Sequence, residues 1–110
     1  MTLPSITKGA VSTTMQYDPG ASDVALSHAD CRSMGLDLRR QCFAPHVDAL
    51  VTGEWAAQLA LPLMGVGRIR VHDVQTLIWR RDCGVSLLGQ SALEKFSAIV
   101  QQGGVITFRR

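Results

Sequence analysis

The chain has 110 residues and a formal net charge of +2, with 46% hydrophobic and 18% charged residues. That size fits one domain spanning 1–110, and the balance fills a core instead of leaving the chain disordered. The arginine doublets at 39-40, 80-81 and 109-110 are too scattered for a nucleic-acid face, and no apolar run approaches the ~18 residues of a membrane-spanning helix.

Aromatic residues make up 5% of the chain, so Val, Leu, Ile, Ala and Met must form the core. The N-terminus, Met1-Thr2-Leu3-Pro4-Ser5, lacks the basic and apolar regions of a signal peptide. Cys31, Cys42 and Cys83 are odd in number and widely spaced, which argues against a disulfide framework. A cytoplasmic location is the expectation from both features.

Residues 1–26 read as β, with Lys8-Gly9 as a turn and Gln16-Tyr17 leading into an Asp18-Pro19-Gly20 corner. A helix follows, with Ser27 as N-cap, Asp30 facing the helix start and Gly35 as the stop. Asp37 to Pro45 has no clean period and reads as an irregular connection. Ala56 to Leu63 and Arg68 to Val74 are apolar-rich strands joined at Gly65-Val66-Gly67, and Thr52-Gly53-Glu54 is a second hairpin tip. Val74 to Trp79 completes a core strand, and Val85 to Leu88 is a short one closed by Gly89.

Ser91-Ala92-Leu93-Glu94 has the spacing of a capping box. It predicts a helix with Leu93, Phe96 and Val100 on one face, running to Gly103-Gly104 before a last strand at Val105 to Phe108. The fold class is therefore mostly β with two short helices, as a small closed barrel or sandwich.

Asp18 is the candidate for chemistry. It follows a β segment and precedes Pro19, Gly20, Ala21 and Ser22, small residues that permit close approach of another backbone. Read by itself, Asp-Pro-Gly is an ordinary turn. Its surroundings say more. The segment Asp18 to Ser27 resembles the Asp-Thr-Gly-Ala-Ser-x-x-x-Leu-Ser stretch of bacterial retropepsin-like aspartic proteases. Leu87-Leu88-Gly89 resembles the hydrophobic-hydrophobic-Gly element before that family's C-terminal helix, and Gly104 to Phe108 its terminal strand.

The resemblance implies a closed β-barrel protomer with a short C-terminal helix, two protomers forming one active site, and peptide or protein substrates. Each protomer would give one Asp18, and a flap from each, here Thr52-Gly53-Glu54-Trp55, would close over an extended peptide. Two carboxylates ~3 Å apart cannot both ionise, so they share a proton. The ionised oxygen takes a proton from water while the protonated one donates to the scissile carbonyl, without metal or cofactor. Pro19 departs from the family's Thr, whose hydroxyl and N–H hydrogen-bond across the dimer. Proline offers neither group, so the dimer forfeits four bonds worth roughly 1 kcal/mol each. A catalytically impaired homodimer that binds extended peptides by strand addition is the alternative.

A rival from another class is a structural zinc site. His28, Cys31, Cys42 and His46 form His-x2-Cys-x10-Cys-x3-His, a tetrahedral ligand set, with His28 and Cys31 one helical turn apart. The serines fall in no Gly-x-Ser-x-Gly elbow, and no spacing sets His72 beside Cys83 as a thiol nucleophile.

Overall fold

The computed structural model describes residues 2–4, 10–12, 14–46, 54–66, 69–102 and 105–109. In chain order these form β1 (Thr2–Pro4), β2 (Ala10–Ser12), β3 (Gln16–Tyr17), β4 (Val24–Ala25) and α1 (His28–Ser33). A 3-10 turn at Leu38–Arg40 and β5 (Ala44–His46) follow. Then come β6 (Glu54–Val66), β7 (Ile69–Trp79), β8 (Leu87–Leu88), α2 (Gln90–Leu93), β9 (Ala98–Gln102) and β10 (Val105–Arg109). The protein is mostly β, as its sequence predicts.

The β6–β7 hairpin is the frame. Its antiparallel register runs from Ala56 opposite Trp79 to Val66 opposite Ile69, so Gly65 and Val66 lie in the ladder and not at its turn. Pro62 has no N–H to give the ladder, and Asp73 adopts φ 55° nearby, a left-handed backbone rare for a non-glycine residue. One face of the hairpin carries Ala57, Leu61, Met64, Val71, Val74 and Ile78 into the core, where they meet Val24, Leu26, Cys31, Met34, Leu88, Leu93 and Phe96. Leu26, Leu61 and Ile78 are fully buried, and burying a side chain of that size stabilises by about 1.5–3 kcal/mol.

The main sheet has the order β2-β1-β6-β7-β4-β8-β3, with β5 also on β6. Among the described residues the outer strands of this path, β2 and β3, do not pair, so the expected barrel closure is not drawn by these ladders. β4 runs parallel to β7 and antiparallel to β8, and β3 runs parallel to β8. These three short strands at one end of the sheet carry the candidate site.

Helix α1 forms where local chemistry demands it. Ser27 Oγ accepts from the Asp30 N–H at 3.1 Å, satisfying an otherwise orphaned donor. At the other end Gly35 has φ 81°, with Gly35 N–H donating to the Arg32 carbonyl and Leu36 N–H to the Cys31 carbonyl. This paired closure is the Schellman motif that a glycine makes inexpensive.

The segment from Asp37 to Pro45 is not irregular throughout: Asp37 Oδ1 accepts from the Arg39 N–H to start the 3-10 turn, and Ala44–His46 pair with β6. The predicted capping box does not form. Helix α2 starts after Gly89, which gives no side-chain cap, and Ser91 lies inside the helix with its hydroxyl engaged elsewhere. The helix also stops at Leu93, because residues 98–102 form β9 against β10. Val100 is therefore a strand residue and exposed, while Phe96 does reach the core and packs on Phe108 at 4.9 Å between ring centroids.

Candidate active site

Asp18 stands immediately after β3, where the chain turns away from β8. Its N–H donates to the Leu88 carbonyl at 3.1 Å, which continues the parallel ladder by one step. Its own carbonyl accepts from the Ala21 N–H at 3.1 Å, closing a four-residue turn through Pro19 and Gly20. Within that turn the Gly20 N–H donates to Asp18 Oδ1 at 3.1 Å. The carboxylate is thus oriented by its own loop. Asp18 is half-buried, and Pro19, Gly20 and Ser22 are exposed, so solvent and a second molecule can reach the turn.

The loop is held from beneath by the segment Leu87-Leu88-Gly89 and the start of α2. Gln90 N–H donates to the Ala21 carbonyl at 2.9 Å and Ser91 N–H to the Ser22 carbonyl at 3.0 Å. The buried Ser91 hydroxyl accepts from the Val24 N–H at 2.8 Å and donates to the Gln75 carbonyl at 2.6 Å. One side chain therefore ties α2, the end of the Asp18 loop and β7 together. Gly89 is buried where the two segments cross. The sequence pointed to Leu87, Leu88 and Gly89; it gave no signal for Ser91 in this role or for Gln90.

A second network anchors the other end of β8. Ser86 Oγ donates to the Asp30 carboxylate and accepts from the Ser27 N–H at 2.9 Å, joining α1 to the strand. Asp82 Oδ1 accepts from Gly84 N–H at 2.9 Å and His28 N–H at 3.1 Å. These two bonds, Gly84's first, hold the Asp82 carboxyl below the usual carboxylate range.

Of the flap candidates, Thr52 and Gly53 lie outside the described residues. Glu54 and Trp55 lie in β6, not at a tip: Glu54 is opposite His46 and Trp55 opposite Pro45. The exposed Trp55 ring lies under the Arg80 guanidinium, 5.2 Å from its centroid. A cleft of about 310 Å³ brings Glu54 and Leu87 together with Trp79, Arg81, Asp82 and Cys83. Two candidate segments remote in sequence thus line one concavity.

Two of the residues proposed for zinc are engaged elsewhere. His28 Nε2 donates to the Trp79 carbonyl at 2.8 Å. Cys31 is fully buried in the core, where burial, with Asp30 nearby, pushes its thiol up to about 12. Cys42 is exposed, and His46 closes β5. Among the described residues no group of three or more His, Cys, Asp or Glu gathers in a metal-binding arrangement. Among them, too, no helix is long and apolar enough to cross a membrane.

The model of the family described as "gag-polyprotein putative aspartyl protease" matches residues 6–95. The chain belongs to that family. None of the curated proteins matches it. Among solved structures it is similar to a retropepsin-like aspartic protease from Rickettsia conorii, at 26% identity and a TM-score of 0.71, over 86% of this chain and 68% of that one. The fold is retropepsin-like, as the two sequence motifs imply.

Proposed function

We propose that two copies of this chain build one aspartic endopeptidase site, with Asp18 of each copy supplying one carboxylate. The observation that carries this reading is the setting of Asp18, at the end of a strand, with its N–H on Leu88 and its Oδ1 held by Gly20 N–H in a solvent-reachable turn. Membership of an aspartyl protease family supports it.

In such a pair one carboxylate is ionised and the other protonated, because like charges at contact distance cannot both persist. The ionised oxygen accepts a proton from the attacking water. The protonated one donates to the scissile carbonyl, and the roles reverse as the leaving amine is protonated. Two protons and no metal suffice. The substrate is an extended peptide lying along the loop Pro19-Gly20-Ala21-Ser22 and covered by the segment containing Thr52, Gly53, Glu54 and Trp55. The free thiols Cys31, Cys42 and Cys83 favour a reducing compartment such as the cytoplasm.

Pro19 supports a second reading, a dimer that binds peptides and cleaves them poorly. It is exposed, lacks an N–H and carries no hydroxyl, so it offers a partner copy neither donor. Peptide cleavage across pH with wild type, Asp18→Asn and Pro19→Thr separates the two. Protease function predicts wild-type cleavage that Asp18→Asn abolishes. Cleavage confined to Pro19→Thr favours the impaired binder, and cleavage surviving in Asp18→Asn contradicts the protease reading.

A further inference from the structure

Gln90 lies 71 residues from Pro19 in sequence, yet its side-chain Nε2 donates to the Pro19 carbonyl at 2.7 Å. That carbonyl is one end of the planar peptide unit joining residues 19 and 20, and the Gly20 N–H is the other. The same N–H donates to Asp18 Oδ1 at 3.1 Å. A continuous relay therefore runs from the Gln90 amide through one peptide unit to the Asp18 carboxylate. Hydrogen bonding at the oxygen of a peptide polarises it and strengthens the donor at its nitrogen.

The relay matters because this peptide unit has an alternative orientation. Pro-Gly at the centre of a turn favours type II, which requires a positive φ at the glycine. Gly20 does not take one: among the described residues the glycines with positive φ are Gly35 and Gly84. Reversing the 19–20 unit toward type II would swing its carbonyl away from Gln90 and its N–H away from Asp18. Residue 19 offers no other polar handle, since proline lacks both an N–H and a polar side chain. Gln90 is exposed, so its side chain adds little to the core, and its backbone already grips Ala21.

We propose that Gln90 is a positioning residue for Asp18, latching the Pro19–Gly20 peptide so that its N–H faces the carboxylate. The latch rests on the reading of Asp18 as the catalytic carboxylate. Gln90→Met keeps the length and removes the donor; Gln90→Arg restores a donor. The Gly20 amide resonance, followed by NMR across pH, reports the latch directly. In Gln90→Met it moves upfield and loses much of its response to acid, and in Gln90→Arg it returns toward the wild-type position. In the cleavage assay Gln90→Met lowers kcat about fivefold, the worth of one hydrogen bond, with KM within about twofold. The melting temperature falls by no more than a few degrees, since one exposed hydrogen bond is lost and no core packing. A Gly20 resonance unaffected by Gln90→Met overturns the latch, as do equal losses in Met and Arg variants. A wild-type protein that cleaves nothing overturns the catalytic reading by itself, while the Gly20 resonance still decides the latch.

Discussion

A Cβ atom on Gly89 would lie 2.2 Å from the carbonyl oxygen of Asp23 and 2.9 Å from that of Ala21. Both obstacles are backbone, so nothing can swing aside. Gly89 is therefore fixed by the crossing of two chain segments and not by its φ of −100°. Gly89→Ala must push the Asp18 loop off β8, stretching the bonds from Asp18 N–H to Leu88 and from Gln90 N–H to Ala21. Chemical denaturation should show a loss of about 3 kcal/mol, at the upper end of ordinary overpacking costs.

Ser91 is the second support of that loop. Ser91→Ala leaves the buried Val24 N–H without its acceptor and the Gln75 carbonyl without its donor. The expected loss is about 2 kcal/mol in denaturant unfolding, the cost of stranding buried polar groups. Loss below about 0.5 kcal/mol would mean that water replaces the hydroxyl there.

These two positions show which features the sequence could disclose. Ser27 and Gly35 were legible because a cap is a local event, settled within three or four residues of chain. Ser91 misleads for the same reason. Serine three residues before Glu94 has the spacing of a local cap, yet its hydroxyl is claimed by Val24, 67 residues away. Tertiary hydrogen bonding overrode the local pattern. Val100 failed likewise, since an apolar residue at helical spacing from Phe96 gives no sign that β10 will pair beside it. The resemblance at Asp18 lies in its neighbours and not in its own tripeptide, and the bond from Gln90 to the Pro19 carbonyl has no sequence signature, because a glutamine in a polar position carries no pattern.

The thiols should separate by burial. Cys31 is buried, and burial before any charge effect raises its thiol to about 12, so little reactive thiolate exists near neutral pH. Burial also raises the Cys83 thiol, while Cys42 is exposed. Alkylation with iodoacetamide at pH 8, read by mass spectrometry, should modify Cys42 first and Cys83 more slowly. Cys31 should react only after denaturation.

Asp82 gives a pH dependence with a definite sign. Its carboxyl is lowered by bonds from Gly84 and His28, so the folded state favours its ionised form. The stabilisation is present above the unfolded value, near 3.9, and fades as pH falls through the lower folded one. Wild type should therefore be more stable than Asp82→Asn at neutral pH, and the gap should narrow below about pH 4. The side chain is exposed, so the gap is small, and a difference that grows in acid would contradict the assignment.

Whether one active site needs Asp18 from two chains is decided by subunit mixing. Wild type and Asp18→Asn are combined in equal amounts, allowed to exchange, and assayed for peptide cleavage with the assembly mass measured alongside. If mixed dimers are inactive, activity per wild-type chain halves, leaving about a quarter of that of an all-wild-type sample at the same total concentration. If cleavage stays at about half, each chain works alone and the shared-dyad account is wrong.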